Sequence, residues 1–390
     1  MLLLNRSYLR LGKQSKIHVK ALTTCLTKSS KIHTLQDIPI QPQFGNDLTN
    51  NMISNSFSRS RFLSGHFLVI ILTSWFLITS SANATRSEQV EYPTYYAHVN
   101  DISIAYQEFG DPEHETILLV MGLGGQLIHW DDDMVWAFVD AGYHVIRYDN
   151  RDAGWSTKFY REDTPGIITG VRYKLGMSLG SPYKLDDMAA DAIGLLDYLE
   201  VKTAHVVGMS MGGMIAQIVA AQNPTRIKTL TSIMSTSGDE NLPEGSVTLD
   251  MPGGSIPTRE QAMANSATIG QQIDGSSAEL TEQEWRKVAS RSYDRSSYPD
   301  GVARQLWAIL DSGDRINLLS NIQQPSLVIH GKEDTLIPVE HGRHTGELIK
   351  NSRVVLVDGM GHYIDRVNKP LIVKEIIDLA NRSSGIATTQ

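Results

Sequence analysis

The stretch His205-Val206-Val207-Gly208-Met209-Ser210-Met211-Gly212-Gly213-Met214-Ile215-Ala216-Gln217 decides how this chain is read. It opens as a short apolar run of the kind that lies buried as a strand, and 213–222 is a helical stretch stopped by Asn223-Pro224. Between the two stands Gly-x-Ser-x-Gly, so Ser210 sits where a strand turns sharply into a helix. Such a serine has a strained backbone, and side chains two positions away would collide with it. Glycine at 208 and 212 removes the collision. The turn also puts Ser210 at the positive end of the following helix, where backbone amides stabilise an oxyanion. Ser210 is the candidate nucleophile, and the Met211 amide is one candidate oxyanion donor.

A serine hydroxyl is too weakly acidic to attack alone and needs a base that an acid orients. The apolar run 326–330 is followed by Gly331-Lys332-Glu333-Asp334, and Ile337-Pro338 then opens a helix, which places Asp334 at the carboxyl end of a strand. The last apolar run, 354–357, leads into Asp358-Gly359-Met360-Gly361-His362, putting His362 at the same edge. Ser210, Asp334 and His362 are thus the candidate triad, with Glu333 and Asp358 open as alternative acids. A second oxyanion donor belongs in the loop after an earlier strand. Gly122-Leu123-Gly124-Gly125 follows the run 117–121 and nominates the Leu123 amide, the alternative being a tight turn of purely structural use.

Further outward the chain alternates. Extended patterns at 94–99 and 102–108, joined by Asn100-Asp101, predict an N-terminal hairpin. Apolar runs at 117–121, 145–148, 205–209, 227–234, 326–330 and 354–357 predict strands buried on both faces. Helical stretches at 133–141, 185–199, 213–222, 339–349 and 369–381 lie between them. Strand-helix alternation over nearly 300 residues predicts a three-layer α/β domain with a mostly parallel sheet. The alternation fails at 238–300, which is rich in Gly, Ser, Glu and Gln with weak helical periodicity at 260–264 and 282–292. An insertion too polar for sheet core predicts a small helical cap at about 238–315. His341 and His344 are three apart on a helix with no acidic or Cys partner, so no metal site is assigned, and Asp131-Asp132-Asp133 suits a helix N-terminus.

In this order these residues resemble the α/β-hydrolase superfamily, in particular its esterase-like members with a helical cap, over roughly 91–380. The resemblance implies the α/β-hydrolase fold and hydrolysis of a small-molecule carboxylic ester through an acyl-enzyme, with no cofactor and no metal. Members usually carry His-Gly where Met121-Gly122 stands; that histidine is normally structural, so the departure bears on pocket shape and leaves the triad intact. The segment Tyr148-Asp149-Asn150-Arg151-Asp152-Ala153-Gly154-Trp155-Ser156 resembles the family's Asp-x-Arg-Gly-x-Gly-x-Ser loop, with Asp152 where glycine is usual and Arg151 read as a structural ion-pair partner. Serine at 210 argues against the haloalkane dehalogenases and epoxide hydrolases, which use aspartate. Lactone, thioester and carbon-carbon bond hydrolysis, aminopeptidase action and perhydrolysis use the same triad and stay open. So do two readings without catalysis, a ligand receptor on a hydrolase scaffold and an adhesion or scaffolding protein.

Composition sets the partners and the address. With 41% hydrophobic and 20% charged residues, the 390-residue chain is globular in type. Residues 1–84 carry nine Lys/Arg against two Asp/Glu, leaving 26 basic and 41 acidic residues in 85–390, a net charge of −15 there. An acidic body repels phosphate backbones and anionic membranes, so nucleic acid is excluded as a partner. The only cysteine, Cys25, lies in the leader, so the domain at 85–390 forms no disulfide of its own. Phe67-Leu68-Val69-Ile70-Ile71-Leu72-Thr73-Ser74-Trp75-Phe76-Leu77-Ile78 follows Arg59 and Arg61 and precedes Ala82-Asn83-Ala84, the pattern of a secretory signal peptide at 52–84. Those twelve residues fall short of the roughly 20 that span a bilayer. Export to the periplasm or exterior is the expectation. A membrane anchor through 67–78 and an organelle transit peptide are the alternatives. Expressed from Met52 in a secreting cell, the protein should be recovered in soluble, exported form beginning at Thr85, as read by intact mass; retention of 67–78 in a membrane fraction would indicate an anchor.

Overall fold

Side chains of a strand point alternately to its two faces, so a run apolar at every position must be covered on both. Strand β3 (Thr116–Val120) is such a run from Ile117 onward, and all five residues are buried. Ile117 and Leu119 join one core cluster with Phe138 of α1 (Asp132–Asp140) and Ile376 of α9 (Lys369–Ser383). Leu118 and Val120 join the other, with Met188 of α2 (Leu185–Tyr198) and Ile215 of α3 (Met211–Gln222). Two cores on either side of one sheet make three layers.

The computed structural model describes residues 91–160, 172, 177, 179–247, 257–278 and 280–385. The expected signal peptide and anchor segment lie outside the described residues. From Tyr92 the chain forms one unit. Its sheet has eight strands, the others being β1 (Tyr95–Val99), β2 (Ile102–Phe109), β4 (His144–Tyr148), β5 (Ala204–Met209), β6 (Ile227–Ile233), β7 (Ser326–Gly331) and β8 (Ser352–Val357). They lie in the order β1-β2-β4-β3-β5-β6-β7-β8. β1 pairs antiparallel with β2, and β2 with β4; every later pairing is parallel. The chain leaves β3 toward β4 on one side and returns to β5 on the other, so the crevice above β3 and β5 is a topological switch point, where ligands bind in open α/β sheets. Among the described residues no helix is long and apolar enough to cross a membrane.

Between β6 and β7 lie α4 (Arg259–Ile273), α5 (Glu282–Arg295) and α6 (Pro299–Ser312), then the single turn α7 (Ile316–Leu319); α8 (Val339–Leu348) follows β7. The helices of this insertion are longer than the weak periodicity predicts, because their ends are chemically defined. Thr258 and Gln261 exchange bonds at the start of α4, Thr281 and Glu284 do the same for α5, and Pro299 opens α6.

The insertion is fastened to the sheet by buried charge. Arg304 of α6 grips Asp152 through both oxygens at 2.9 and 3.0 Å, and Tyr183 donates to the same carboxylate at 2.7 Å. Arg295 of α5 pairs with Asp149 at 2.7 Å, and Arg151 with Asp191 at 2.6 Å. Arg151 is thus an ion-pair partner. Asp152, which stands where the family's loop has glycine, keeps the left-handed backbone that glycine would adopt, at φ 66°. Removing one partner of a buried pair leaves an uncompensated charge, so Arg304→Met should cost about 3–5 kcal/mol. The double variant with Asp152→Gly should regain part of that loss, since glycine accepts positive φ freely. Urea denaturation decides this, and a double variant no more stable than Arg304→Met refutes it.

Candidate active site

Ser210 is the junction of β5 and α3, with φ 57° and ψ −123°. Its amide donates to Ile233 O at 2.8 Å, and its carbonyl accepts from Gly213 N at 2.9 Å and from Ser235 Oγ at 2.8 Å, so the strained turn is held from three directions. A Cβ on Gly208 would lie 2.1 Å from Gly212 O, and one on Gly212 would lie 2.1 Å from Val120 O. No side chain fits at either position, but the collisions are with the backbone of Gly212 and Val120 and not with Ser210 as the sequence reading expects.

The structure brings the three candidate residues together. His362 Nε2 lies 3.0 Å from Ser210 Oγ, and His362 Nδ1 lies 2.7 Å from Asp334 Oδ2. Asp334 is buried, and its other oxygen accepts from the amides of Leu336 and Ile337 at 3.0 and 2.8 Å. His330 Nε2 faces both Asp334 Oδ2, at 3.3 Å, and Ile337 O, at 2.8 Å. The two alternative acids point elsewhere. Glu333 accepts from Ser276 N and Oγ at 2.7 and 2.8 Å, and Asp358 pairs with Lys332 at 2.6 Å.

The loop after β3 closes against Ser210. A Cβ on Gly122 would sit 3.0 Å from Ser210 Cβ and 3.6 Å from its Oγ, so the backbone passes close to the serine there. Leu123 follows directly. Met211 is the first residue of α3, where an amide has no acceptor within the helix. The insertion meets this edge at a second place, where Ile273 O, ending α4, accepts from His362 N at 2.7 Å.

Supports that sequence reading missed surround the site. Asn150 Nδ2 donates to Met121 O at 2.8 Å. Gln126 Nε2 donates to Ser292 O and Ser296 O at 2.7 and 2.8 Å, and His129 Nε2 lies 2.6 Å from Ser292 Oγ. Burial pushes the His129 imidazole down to about 4, so it stays neutral near pH 7. The signal for these polar groups was weak, since each acts through a partner far away in sequence. His341 and His344 tie the loop after β6, with Nδ1 atoms 2.7 Å from Thr236 Oγ1 and 2.9 Å from Ser237 Oγ, and His344 Nε2 has an acidic neighbour that the sequence reading did not give it, Asp239 at 3.7 Å.

Burial alone would raise the Asp334 carboxyl, but hydrogen bonds from His330 and His362, and their charge, hold it well below the usual carboxylate range. A carboxyl depressed in the folded state adds stability that is present above its unfolded value of about 3.9 and is lost as pH falls through the folded value. Asp334→Asn should therefore be less stable than wild type at neutral pH, with the gap narrowing below about pH 4. Urea midpoints across pH measure this, and an equal gap at about pH 6 and about pH 3 would contradict it.

Residues 115–364 match the family described as alpha/beta hydrolase fold. Rhodomycin D methylesterase DnrP of Streptomyces peucetius is 29% identical over 304 residues, covering 72% of this chain and 95% of that protein. 3-Oxoadipate enol-lactonase 2 of Acinetobacter baylyi is 26% identical over 272 residues, 69% of this chain and 90% of its own length. Among solved structures, the enol-lactonase of Burkholderia xenovorans LB400 superposes with a TM-score of 0.56 at 22% identity, over 74% of this chain and all of that one, a likeness of fold. With the family model spanning β3 to β8 and every loop that carries the candidate residues, the chain belongs to the alpha/beta hydrolase family.

Proposed function

We propose that this hydrolase cleaves a small-molecule carboxylic ester through an acyl-enzyme, with Ser210 as nucleophile, His362 as general base and then acid, and Asp334 as the group that orients it. The observation that carries the reading is the unbroken relay of Ser210 Oγ, His362 and the buried Asp334 carboxylate, at 3.0 and 2.7 Å. As Ser210 Oγ bonds to the acyl carbon, its proton passes to Nε2, and the carbonyl oxygen becomes an oxyanion facing the amides of Leu123 and Met211. The ester C–O bond then breaks, and Nε2 returns the proton to the departing alcohol. Water, deprotonated by the same nitrogen, adds to the acyl carbon; the bond from that carbon to Ser210 Oγ then breaks, Nε2 returns the proton to Oγ, and the acid leaves. Asp334 keeps Nδ1 protonated throughout and stabilises the imidazolium. Relatives named for methyl ester and lactone hydrolysis support acyl-oxygen cleavage, because a lactone is an ester whose alcohol stays tethered. With its leader removed, the enzyme acts in an exported compartment.

A panel of p-nitrophenyl esters of increasing acyl length, run on residues 85–390, tests this. Ser210→Ala should lower turnover by about 10⁴ or more, and Asp334→Asn by about 10⁴, while Glu333→Gln stays near wild type. Turnover retained in Ser210→Ala with unchanged thermal unfolding overturns the reading.

A further inference from the structure

We infer that Gln305, on helix α6 of the insertion, is a positioning residue for the oxyanion loop, so that the cap supplies part of the support for transition-state stabilisation. The inference rests on the Leu123 amide being an oxyanion donor, as proposed above. Gly125 N donates to Gly122 O at 3.0 Å, and Gly124 has φ 66°. That is the pattern of a type II turn, with Leu123 and Gly124 at its centre and glycine at the position requiring positive φ. In such a turn the central peptide, between residues 123 and 124, can face either way, and its orientation sets the shape of the loop around Leu123.

The amide of that central peptide has one side-chain acceptor. Gly124 N donates to Gln305 Oε1 at 2.8 Å. The other end of the same side chain donates from Nε2 to Arg151 O at 2.7 Å, so both ends of the amide are fixed. Gln305 is fully buried, as is its neighbour Arg304, whose two-pronged bond to Asp152 fixes this part of α6. Val302 lies one turn earlier, and a Cβ on Gly124 would stand 3.0 Å from its Cγ2, so the helix also bears on the turn by contact. Without the Gln305 oxygen the Gly124 amide would be an unpaired donor beside Ser210. The central peptide would then rotate to find another acceptor and shift Leu123 with it. Gln305 does not itself touch the reacting atoms. Its effect falls on the transition state, where charge on the carbonyl oxygen is greatest.

The test compares wild type with Gln305→Met, which keeps length and removes both bonds, and with Gln305→Asn, which keeps an amide one methylene too short to span both partners. A fluorophosphonate is first used to label Ser210 in the wild-type enzyme. If Ser210 is not labelled, the nucleophile reading fails, and the inference falls with it. If it is labelled, kcat of either variant on a p-nitrophenyl ester should drop about tenfold with KM changed less than about twofold. Affinity for a trifluoromethyl ketone, whose adduct places an oxyanion in the hole, should drop by a similar factor. Affinity for the ether analogue of the substrate, which has no carbonyl oxygen to carry charge into the hole, should not change. Thermal unfolding of both variants should stay cooperative, with midpoints lowered by the lost buried bonds but well above the assay temperature. Labelled enzyme whose variants keep full kcat overturns the inference alone. So does an equal loss of affinity for the ketone and for the ether analogue, which would mark a general loosening of the pocket.

Discussion

Everything at the site hangs on one backbone conformation, Ser210 at φ 57° between a strand and a helix. A non-glycine residue there is strained by about 1–3 kcal/mol and persists only where its surroundings over-determine it. The surroundings are glycines with no room for a Cβ, a bond from β6, and a helix that begins at the very next residue. The strain lifts the hydroxyl out of the sheet edge, and that lift decides where everything else must stand. His362 reaches Oγ from the loop after the last strand, and Asp334 reaches His362 from the loop after the strand before. The sheet order places the loop after β3, the proposed oxyanion loop, beside Ser210, because β3 is the neighbour of β5.

How far the sequence speaks follows from how local each determinant is. The elbow was legible because its steric demand falls on positions 208 and 212, two residues either side of the serine. The placement of Asp334 and His362 was legible because each follows an apolar run at the sheet edge. Choosing among Glu333, Asp334 and Asp358 needed coordinates, since neighbouring side chains leave the backbone in opposite directions. The extent of the cap helices was underread for a different reason. Polar helices such as α4 have little apolar period, and their evidence lies in the Thr-x-x-Gln and Thr-x-x-Glu ends.

What no local pattern could reveal is the way the cap is seated. Asp152 finds Arg304 across 152 residues of chain, and Gly124 finds Gln305 across 181. Periodicity reports which face of an element is buried, and carries nothing about which distant polar group meets it. The one hint was a departure: aspartate in a loop position where the family's pattern has glycine. Aspartate enters the left-handed region more readily than most side chains but less freely than glycine, and the buried carboxylate's grip on α6 offsets the difference.

This seating constrains how substrate reaches Ser210. A cap that swung open as a rigid lid would part Asp149 from Arg295 and Asp152 from Arg304, leaving buried charges without partners at a cost of several kcal/mol each. It would also draw Ile273 away from the His362 amide and Gln305 away from Gly124. Opening of that kind would dismantle support for the proposed base and for the oxyanion loop together. Admission through smaller displacements, with α5 and α6 left on the sheet, avoids both costs. On that account the cap limits which molecules fit beside Ser210 by its fixed shape, and the proposed hydrolysis would keep the same walls throughout.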